Sequence, residues 1–284
     1  EQRMNKDIDA KAETLRSMYA IPIRYQGLSG RITYGFRDTY FMDVNFGYTG
    51  SENFQSGHRF GFFPSVAVGW IPTQYEFMQR GLPWLNFLKI RASYGTVGND
   101  RLTDERFPYL TLMVDGNGGG WGSSSGYITE ERVGANNLRW EKAKKADLGI
   151  EGRLFNEKLQ FVVDFFQDKR DGIYQRRSQI PSYVGLTQMP FGNVGKMKSY
   201  GSDGNISFTQ DFGKDMTLTL RGNFTYSANK VENWEQAFQP YEYQNYTGYV
   251  NNAFRGYIAL GLFRDEQDVA QSPKQTFGEY MAGD

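Results

Sequence analysis

Hydrophobic and polar residues alternate along two adjacent runs between Lys145 and Lys169, which are joined across Asn156-Glu157. The apolar positions are Ala146, Leu148, Ile150, Gly152 and Leu154 before the turn and Leu159, Phe161, Val163 and Phe165 after it. A period of two places each set on one face of a strand, so the pattern predicts a hairpin with one apolar and one polar face. Each strand has at least about ten residues, near the roughly 9–11 that cross a bilayer.

The same alternation predicts about eight long antiparallel strands in all, and hence an all-β fold. The further strands are Gly30–Phe36, Tyr40–Tyr48, Arg59–Ile71, Leu88–Tyr94, Gly204–Phe208 and Met216–Tyr226. We expect Pro64 to mark a rim or a bulge, because proline removes a ladder hydrogen bond. The segment Pro72–Pro83 can hold one helical turn. The first twenty residues are charged and suggest a loop with some helical character, and the chain beyond Asn229 is expected to be mostly loop.

The predicted connections alternate between short turns and long loops. Short turns fall at Arg37, Asn156 and Gly213, and long loops at Thr49, Thr96, Gly172 and Asn229. Outer-membrane β-barrels sort their connections in this way, with short periplasmic turns and long extracellular loops. Aromatic residues also occur at strand ends, as an interfacial girdle requires: Phe36, Tyr40, Tyr48, Trp70, Tyr94, Phe155 and Tyr226. The alternative is that these aromatics pack the core of a soluble protein.

Composition restricts the chemistry that the chain can perform. Its 32 basic and 32 acidic residues balance, so no net charge favours nucleic acid. The chain has no cysteine and one histidine, His58, which excludes thiol catalysis, disulfides and Cys/His zinc sites. His58 lies in a polar loop without a partner at a useful spacing. We therefore predict no enzymatic activity, no catalytic residues, no metal site and no cofactor. A mean hydropathy of −0.61 is compatible with a transmembrane β-barrel, because lipid-facing and lumen-facing residues alternate.

Carboxylates on the polar strand faces are expected to pair with Lys and Arg on neighbouring strands. They are Asp43, Asp147, Glu151, Asp164, Asp168 and Asp203. No buried strand is predicted before the glycine-rich run Gly116–Gly122, and no helix is predicted after it. We therefore interpret the run as a flexible outer loop and not as a phosphate-binding loop.

The loops contain one candidate ligand-binding signal, namely aromatic residues among Asn, Gln, Ser and Gly. The candidates are Trp121, Tyr127, Trp140, Tyr183 and Trp234, with Tyr241, Tyr243 and Tyr246 nearby. Aromatic faces stack on sugar rings while amides and hydroxyls bond sugar hydroxyls. The alternative is that they pack within a large loop, and Trp140 and Trp234 could equally belong to the girdle.

Several segments, in the same order along the chain, resemble the SusC/RagA-type TonB-dependent outer-membrane transporters of Bacteroidota. These segments are Gly47–Trp70, Trp84–Asp100, Asn137–Gly149, Phe155–Tyr174, Asn193-Val194-Gly195 and Gly256–Pro273. In that family a plug domain precedes a transmembrane β-barrel of about 22 strands, the size class with a plugged lumen. The resemblance therefore implies that residues 1–284 are an internal part of the barrel domain, with the plug domain, the TonB box and the C-terminal strands outside it.

The resemblance also implies a function and a location in the bacterial outer membrane. Such transporters import a nutrient with energy transmitted through TonB, and they pair with a SusD-like surface lipoprotein. Glycan oligosaccharide is the leading expectation for the cargo, and peptide import of the RagA kind is the nearest competitor. The alternative from a different class is a passive porin or structural barrel, because eight strands can close a small barrel by themselves.

Overall fold

The computed structural model describes residues 2–5, 22–103, 106–116, 127–135, 137–186, 188–213, 215–259, 261–274 and 278–284, with the backbone alone described at 2–5, 23, 114–116, 127, 129 and 182. The chain divides into two compact units, Glu1–Asn251 and Asn252–Asp284. The first unit contains every described strand. The second contains a short helix and irregular segments, in which the rings of Phe263 and Tyr280 stack with centroids 5.2 Å apart.

Within the described residues, nine strands form one antiparallel sheet in the order β1-β2-β3-β4-β5-β8-β9-β10-β11, and β6 and β7 form a separate hairpin between β5 and β8. The bounds are β1 Gln2–Asn5, β2 Ile23–Phe36, β3 Tyr40–Ser51, β4 Phe60–Trp70, β5 Leu85–Asn99, β6 Leu112–Gly116, β7 Tyr127–Arg132, β8 Glu141–Leu154, β9 Leu159–Arg176, β10 Phe191–Phe212 and β11 Met216–Asn233. Each long strand pairs with its sequence neighbours, which is the up-and-down arrangement of membrane barrels.

The predicted strands are confirmed, and most are longer than the alternation alone indicates. The longest, β10, has 22 residues and begins within the segment that was expected to be loop. Two predictions were wrong. The start of the chain was expected to be a loop with helical character, yet Gln2–Asn5 pairs with β2; the rest of the first twenty residues lies outside the described residues. The long connection after β5 was expected to be unstructured, yet it contains the β6–β7 hairpin.

Helices are few and short in the part of the chain that the structure describes. The segment after β4 forms a 3₁₀ turn, Pro72–Gln74, followed by α1, Glu76–Gly81, which confirms the predicted helical turn. Helix α2, Glu266–Gln271, lies in the second unit and begins at Asp265, whose side chain accepts a hydrogen bond from the N–H of Asp268. Further 3₁₀ turns occupy Ser182–Val184 and Glu242–Gln244. Among the described helices, none combines the length and apolar character needed to cross a membrane.

The tight turns use left-handed backbone conformations. Three consecutive residues between β8 and β9, Phe155, Asn156 and Glu157, have φ of 57°, 58° and 64°. Such values are uncommon outside glycine. Asn86 Oδ1 accepts hydrogen bonds from the N–H groups of Asn156 and Glu157 at 2.7 Å and 3.3 Å. This amide oxygen thereby satisfies two backbone N–H groups of the turn.

The register aligns apolar residues on one face and polar residues on the other. Across β8 and β9, for example, Ile150 lies opposite Val163, while Gly149 lies opposite Asp164. The apolar face is uncovered by protein: Ile32 is 68% exposed and Leu28 is 66% exposed. The seven strand-end aromatics predicted for the girdle are also exposed, so they do not pack a soluble core. An apolar surface spanning eight long strands requires an apolar environment.

Glycines within the strands face aromatic rings on the neighbouring strand. Directly opposite pairs are Gly30–Phe46, Gly50–Phe60, Gly152–Phe161, Gly201–Phe166 and Gly204–Phe224. In every pair a Cβ on the glycine would lie within 3.0 Å of the ring, so the ring covers the glycine. Aromatic cover of this kind compensates for the missing side chain in a sheet.

Pro64 lies inside β4, opposite Phe46 of β3. On the other side of β4, pairing with β5 starts only at Ser65. Pro64 therefore lies at the end of the β4–β5 ladder, and its missing N–H leaves that ladder intact. Pro64 is nevertheless not at the rim of the sheet, because β3 pairs with β4 on both sides of it, and the register of these described strands shows no bulge there.

Candidate functional site

The polar face contains an ion pair that crosses an intervening strand. Arg91 of β5 donates to both carboxylate oxygens of Asp164 on β9, at 2.6 Å and 2.7 Å. Gly149 of β8 lies between them and is paired with both residues. A Cβ at Gly149 would overlap the Asp164 carboxylate and would lie 2.5 Å from Arg91 Nε. Glycine at this position is therefore what allows the two side chains to meet.

Other carboxylates of this face are also paired, which confirms the predicted cross-strand pairing for part of the set. Arg31 bonds both oxygens of Asp43 at 3.0 Å. Lys145 lies 3.9 Å from Asp168. The prediction was wrong for Asp147 and Asp203, which have no cation within 4.0 Å among the described residues. It was also wrong for Glu151, whose ion-pair partner among the described residues is Arg153 on its own strand, at 3.9 Å.

Three aspartates therefore form an acidic strip across β8, β9 and β10. Asp203 lies directly opposite Asp164 in the β9–β10 ladder, and Asp147 lies two residues along β8 from Gly149. Only Arg91 pairs with the strip within the described residues. Since like charges opposite each other are unfavourable, the strip can accept a cationic or hydrogen-bond-donating group.

At the long-loop end, a small core of buried side chains fixes the loops to the strands. Its members are Phe54, Ala135, Leu138 and Trp140. The ring centroid of Trp140 lies 5.1 Å from those of Phe54 and of Phe63 on β4. Trp140 Nε1 donates to the carbonyl oxygen of Arg59 at 3.0 Å, so its polar atom is satisfied as well. Trp140 is 8% exposed and thus has the packing role that was the alternative to ligand binding.

Asn193, in the Asn-Val-Gly segment, joins the start of β8 to β9 and β10. Its Nδ2 donates to the carbonyl oxygens of Arg139 and Gly172 at 2.9 Å and 2.7 Å, and its Oδ1 accepts from the N–H of Arg139 at 2.8 Å. Gly172 has a φ of 72°, which glycine adopts without strain. One amide thereby fixes the position at which the long connection enters the sheet.

Glu235 lies just beyond β11. It contacts both the loop that follows β9 and the last residues of β9. Its carboxylate lies 2.6 Å from Arg177 Nε and accepts from the N–H of Gln179 at 3.2 Å. Its carbonyl oxygen accepts from Ser178 Oγ and Gln175 Nε2 at 2.7 Å and 3.3 Å. Burial alone would raise the pKa of Glu235, but the Arg177 guanidinium and the backbone N–H groups outweigh burial and lower it. Sequence reasoning missed this residue because no motif marks it.

The remaining predicted ligand-binding residues differ in their surroundings. Tyr183 is 87% exposed at a 3₁₀ turn between β9 and β10. Trp234 is half-buried, with its ring centroid 6.4 Å from that of Tyr246. Trp121 lies outside the described residues, and Tyr127 opens β7 with its side chain outside them. Tyr183 and Trp234 are therefore the predicted residues whose described side chains are at least partly accessible to solvent.

A second exposed aromatic pair lies in the loop after β11. The rings of Tyr241 and Tyr243 stack with centroids 5.5 Å apart and an interplanar angle of 15°. Both side chains are more than half exposed. Stacked, exposed rings offer an apolar face with polar hydroxyls at its edge, which suits an amphipathic ligand.

The described residues of this site offer aromatic rings, carboxylates and guanidinium groups. Among the described residues, no cluster of three or more His, Asp or Glu side chains could hold a metal ion. Aromatic rings at the loop end and charged groups on the polar face can bind and orient a ligand that passes between them.

Comparison with known proteins places these features in a family. The family described as "TonB dependent receptor-like, beta-barrel" matches residues 23–282, nearly the whole chain. TonB-dependent receptor P39 of Formosa agariphila is 28% identical over 93% of this chain and 24% of its own length. TonB-dependent receptor SusC of Bacteroides thetaiotaomicron is 27% identical over 71% of this chain and 20% of its own length.

A solved structure shows the same fold. The RagAB peptide importer in its closed-closed state superposes with a TM-score of 0.64 at 23% identity, over 81% of this chain and 25% of that chain. The chain thus spans about a quarter of the length of the relatives it matches. The family is one of transporters and receptors and not of enzymes. The chain belongs to the TonB-dependent receptor-like β-barrel family and forms part of an outer-membrane barrel.

Proposed function

We propose that this chain forms part of the barrel wall of a TonB-dependent importer of nutrients. The observation that supports this most is that one set of strands has an uncovered apolar face and a charged opposite face. The apolar face suits contact with lipid, and the charged face suits the lining of a polar path. Such a wall binds and passes a solute without changing its covalent bonds.

The cargo that the loop end favours is an oligosaccharide. Tyr183, Trp234 and the Tyr241–Tyr243 pair present aromatic faces at the end of the sheet where the long loops cluster. Sugar rings stack on such faces through their C–H surfaces, while the surrounding amides bond hydroxyl groups. SusC, a curated relative, belongs to the same family.

Peptide is the second candidate, because of the acidic strip. Asp147 and Asp203 lie on the polar face without a cation within 4.0 Å among the described residues, and they can bind an amino terminus or a basic side chain. The RagAB structures that share this fold are named as peptide importers. In either case we propose a SusD-like lipoprotein at the outer mouth and TonB as the source of energy.

The test is purification of the whole protein from outer membranes in mild detergent, followed by mass spectrometry of the polypeptide, of co-purifying proteins and of released small molecules. We expect a polypeptide several times heavier than this 32.6 kDa chain, together with a surface lipoprotein and hexose-containing cargo. Released peptides in place of hexoses would move the assignment to the second candidate. A lone polypeptide near 32.6 kDa would refute the importer and leave a passive barrel.

The role of the loop aromatics is tested by binding of an oligosaccharide series to Tyr183→Ala and Trp234→Ala. Loss of one stacking face, worth about 0.5–1.5 kcal/mol, weakens binding roughly two- to tenfold. Phe77→Ala is the matched control, because Phe77 is equally aromatic and 69% exposed but lies in α1 at the short-turn end. Equal affinities for all three variants would exclude both residues from the ligand site.

A further inference from the structure

Four lysines lie side by side on four adjacent strands of the apolar face. In the ladders, Lys144 of β8 is opposite Lys169 of β9, Lys169 is opposite Lys198 of β10, and Lys198 is opposite Lys230 of β11. Their side chains share the face of Leu148, because Lys144 and Leu148 are four residues apart on one strand. We call these four residues the lysine row.

Within the protein the lysine row is poorly neutralised. Like charges directly opposite each other in a sheet are destabilising. Asp171 lies 3.7 Å from Lys144, but it is shared with Lys196, at 3.8 Å. Among the described residues, no carboxylate lies within 4.0 Å of Lys169, Lys198 or Lys230.

Two further lysines and one further acid border the row. Lys142 and Lys196 flank Asp171 two residues further along the strands. Glu232 follows Lys230 on β11 at a register irregularity, and it forms no ion pair with a described lysine within 4.0 Å. The patch therefore keeps a strong positive charge that its own acids do not balance.

The lysine row lies at the edge of the apolar band. From Lys144 to Leu154, at the short turn, β8 advances ten residues, which is about 34 Å along the strand. At a strand tilt of about 35–45° this is roughly 26 Å along the membrane normal, close to the height of about 25 Å of the apolar band in outer-membrane barrels. The ammonium groups thus lie at the headgroup level, on the side of the long loops, which is the outer side.

The row is confined to one part of the sheet. On β5 the residue opposite Lys144 is Thr96, which is uncharged. The next residue of β5 on the same face, toward the short-turn end, is Tyr94. The side chain of Lys198 runs over the ring of Tyr200, with Nζ 5.5 Å from the ring centroid. Lysine stems commonly pack on apolar surface in this way while the charged end reaches polar headgroups.

We propose that the lysine row binds the phosphate groups of lipid in the outer leaflet, that is, the phosphorylated lipid A portion of lipopolysaccharide. Lysine ammonium groups bind phosphate as point charges. Four of them, on strands about 4.8 Å apart, span roughly 14 Å and can bind more than one phosphate. The outward face, below the loops and continuous with the apolar band, fits a lipid rather than an acidic protein partner. The proposal rests on the outer-membrane location and is independent of the cargo.

The experiment uses the whole protein, delipidated and then placed in nanodiscs containing phosphorylated lipid A or the same lipid without its phosphates. Binding is compared for the wild type and for Lys144→Gln/Lys169→Gln/Lys198→Gln/Lys230→Gln. Because lysines near an anionic surface attract it and the fourfold variant lacks four of them, we expect this variant to retain at least tenfold less phosphorylated lipid A. The wild type should show the same loss with the dephosphorylated lipid.

Two further variants keep this test decisive. The fourfold Lys→Arg variant retains the charges and should bind like the wild type, which separates loss of charge from misfolding. Lys89→Gln/Lys158→Gln removes lysines from the polar face and from a short turn, and it should also bind like the wild type. Equal retention of lipid A by the fourfold glutamine variant and this control would overturn the proposal. Loss of a co-purifying lipoprotein with unchanged lipid binding would also overturn it, and would identify the row as a protein contact.

Discussion

The two faces of the sheet differ in how their basic side chains are neutralised. On the polar face Arg91 and Arg31 each have a carboxylate as a hydrogen-bonded partner, on a strand one or two positions away. On the apolar face four lysines stand beside one another, and the aspartate nearest to them is shared. Arg91 and Arg31 on the first face are neutralised by carboxylates of the protein, whereas most of the lysines on the second face depend on their surroundings. The same strands thus separate a surface on which these cations are paired within the protein from one on which most cations require an external counter-ion.

The largest effect is expected when a charge is placed in the middle of the apolar face. Ile150 lies midway between the lysine row and the short turn, and Ile150→Lys would put an ammonium group among hydrocarbon chains. We expect a loss of about 2–4 kcal/mol of stability, measured by urea unfolding in lipid vesicles. Asn205→Lys, on the polar face, is the matched change and should cost well under about 1 kcal/mol. Equal costs would show that the faces are assigned incorrectly.

The next effect concerns the space that the Arg91–Asp164 ion pair requires. Gly149→Val would place atoms where the two side chains meet, so the pair would have to separate. A forced rearrangement of this kind costs about 1–3 kcal/mol. Gly47→Val adds the same atoms on β3, where no described atom lies within 4 Å of the position that a Cβ would take, and it should be nearly neutral. The readout is again urea unfolding, and a Gly149→Val protein as stable as Gly47→Val would contradict the packing described.

Protonation of Glu235 in acid should destabilise the attachment of the loop after β9. Because its pKa is lowered in the folded protein, its contribution to stability is present above the ordinary glutamate value and is lost as pH falls through the lowered value. Proteolysis of the loop after β9 should therefore accelerate below about pH 4.3, the ordinary pKa of glutamate. In Glu235→Gln the cleavage should be faster at neutral pH and should change little with acid. An unchanged acid response in that variant would assign the effect to another group.

The smallest effect is expected for the ion pair between Arg31 and Asp43. The side chains of Arg31 and Asp43 are 64% and 30% exposed, and solvent-exposed pairs of this kind contribute about 0–1 kcal/mol. A double-mutant cycle with Arg31→Gln and Asp43→Asn should give a coupling energy below that of Arg91→Gln with Asp164→Asn, because Asp164 is less exposed. The reverse order would mean that burial does not decide the strength of pairing on this face.

Alternation in the sequence was sufficient to predict the strands and their faces. Period two is a local property, so each long strand could be recognised from its own residues, and short turns could be distinguished from long loops. The hairpin β6–β7 was missed because its strands are short and are separated by a glycine-rich segment. The lengths of β9 and β10 were underestimated because their outer ends, such as Asp171 and Lys196, leave the apolar pattern while the backbone pairing continues.

Features that depend on pairing between distant strands could not be predicted from the sequence. The lysine row is a product of register: its members are separated by 25, 29 and 32 residues, so no spacing rule links them. Trp140 was a ligand candidate because its neighbours in sequence are polar, whereas its neighbours in space are Phe54 and Phe63. The hydrogen bonds of Asn193 and Glu235 likewise join segments that are 21 to 60 residues apart.

The rings that cover glycines on neighbouring strands have a consequence for how the wall assembles. Long antiparallel strands with a simple alternation can pair in several alignments that differ by two residues, and all of them keep apolar side chains on one face. At Gly152–Phe161 or Gly204–Phe224, a two-residue slip would press the phenyl ring against a full side chain and leave the glycine bare. Each ring–glycine pair therefore fits at one alignment of its two strands. Several such pairs along the sheet raise the free energy of mispaired intermediates above that of the correctly paired barrel.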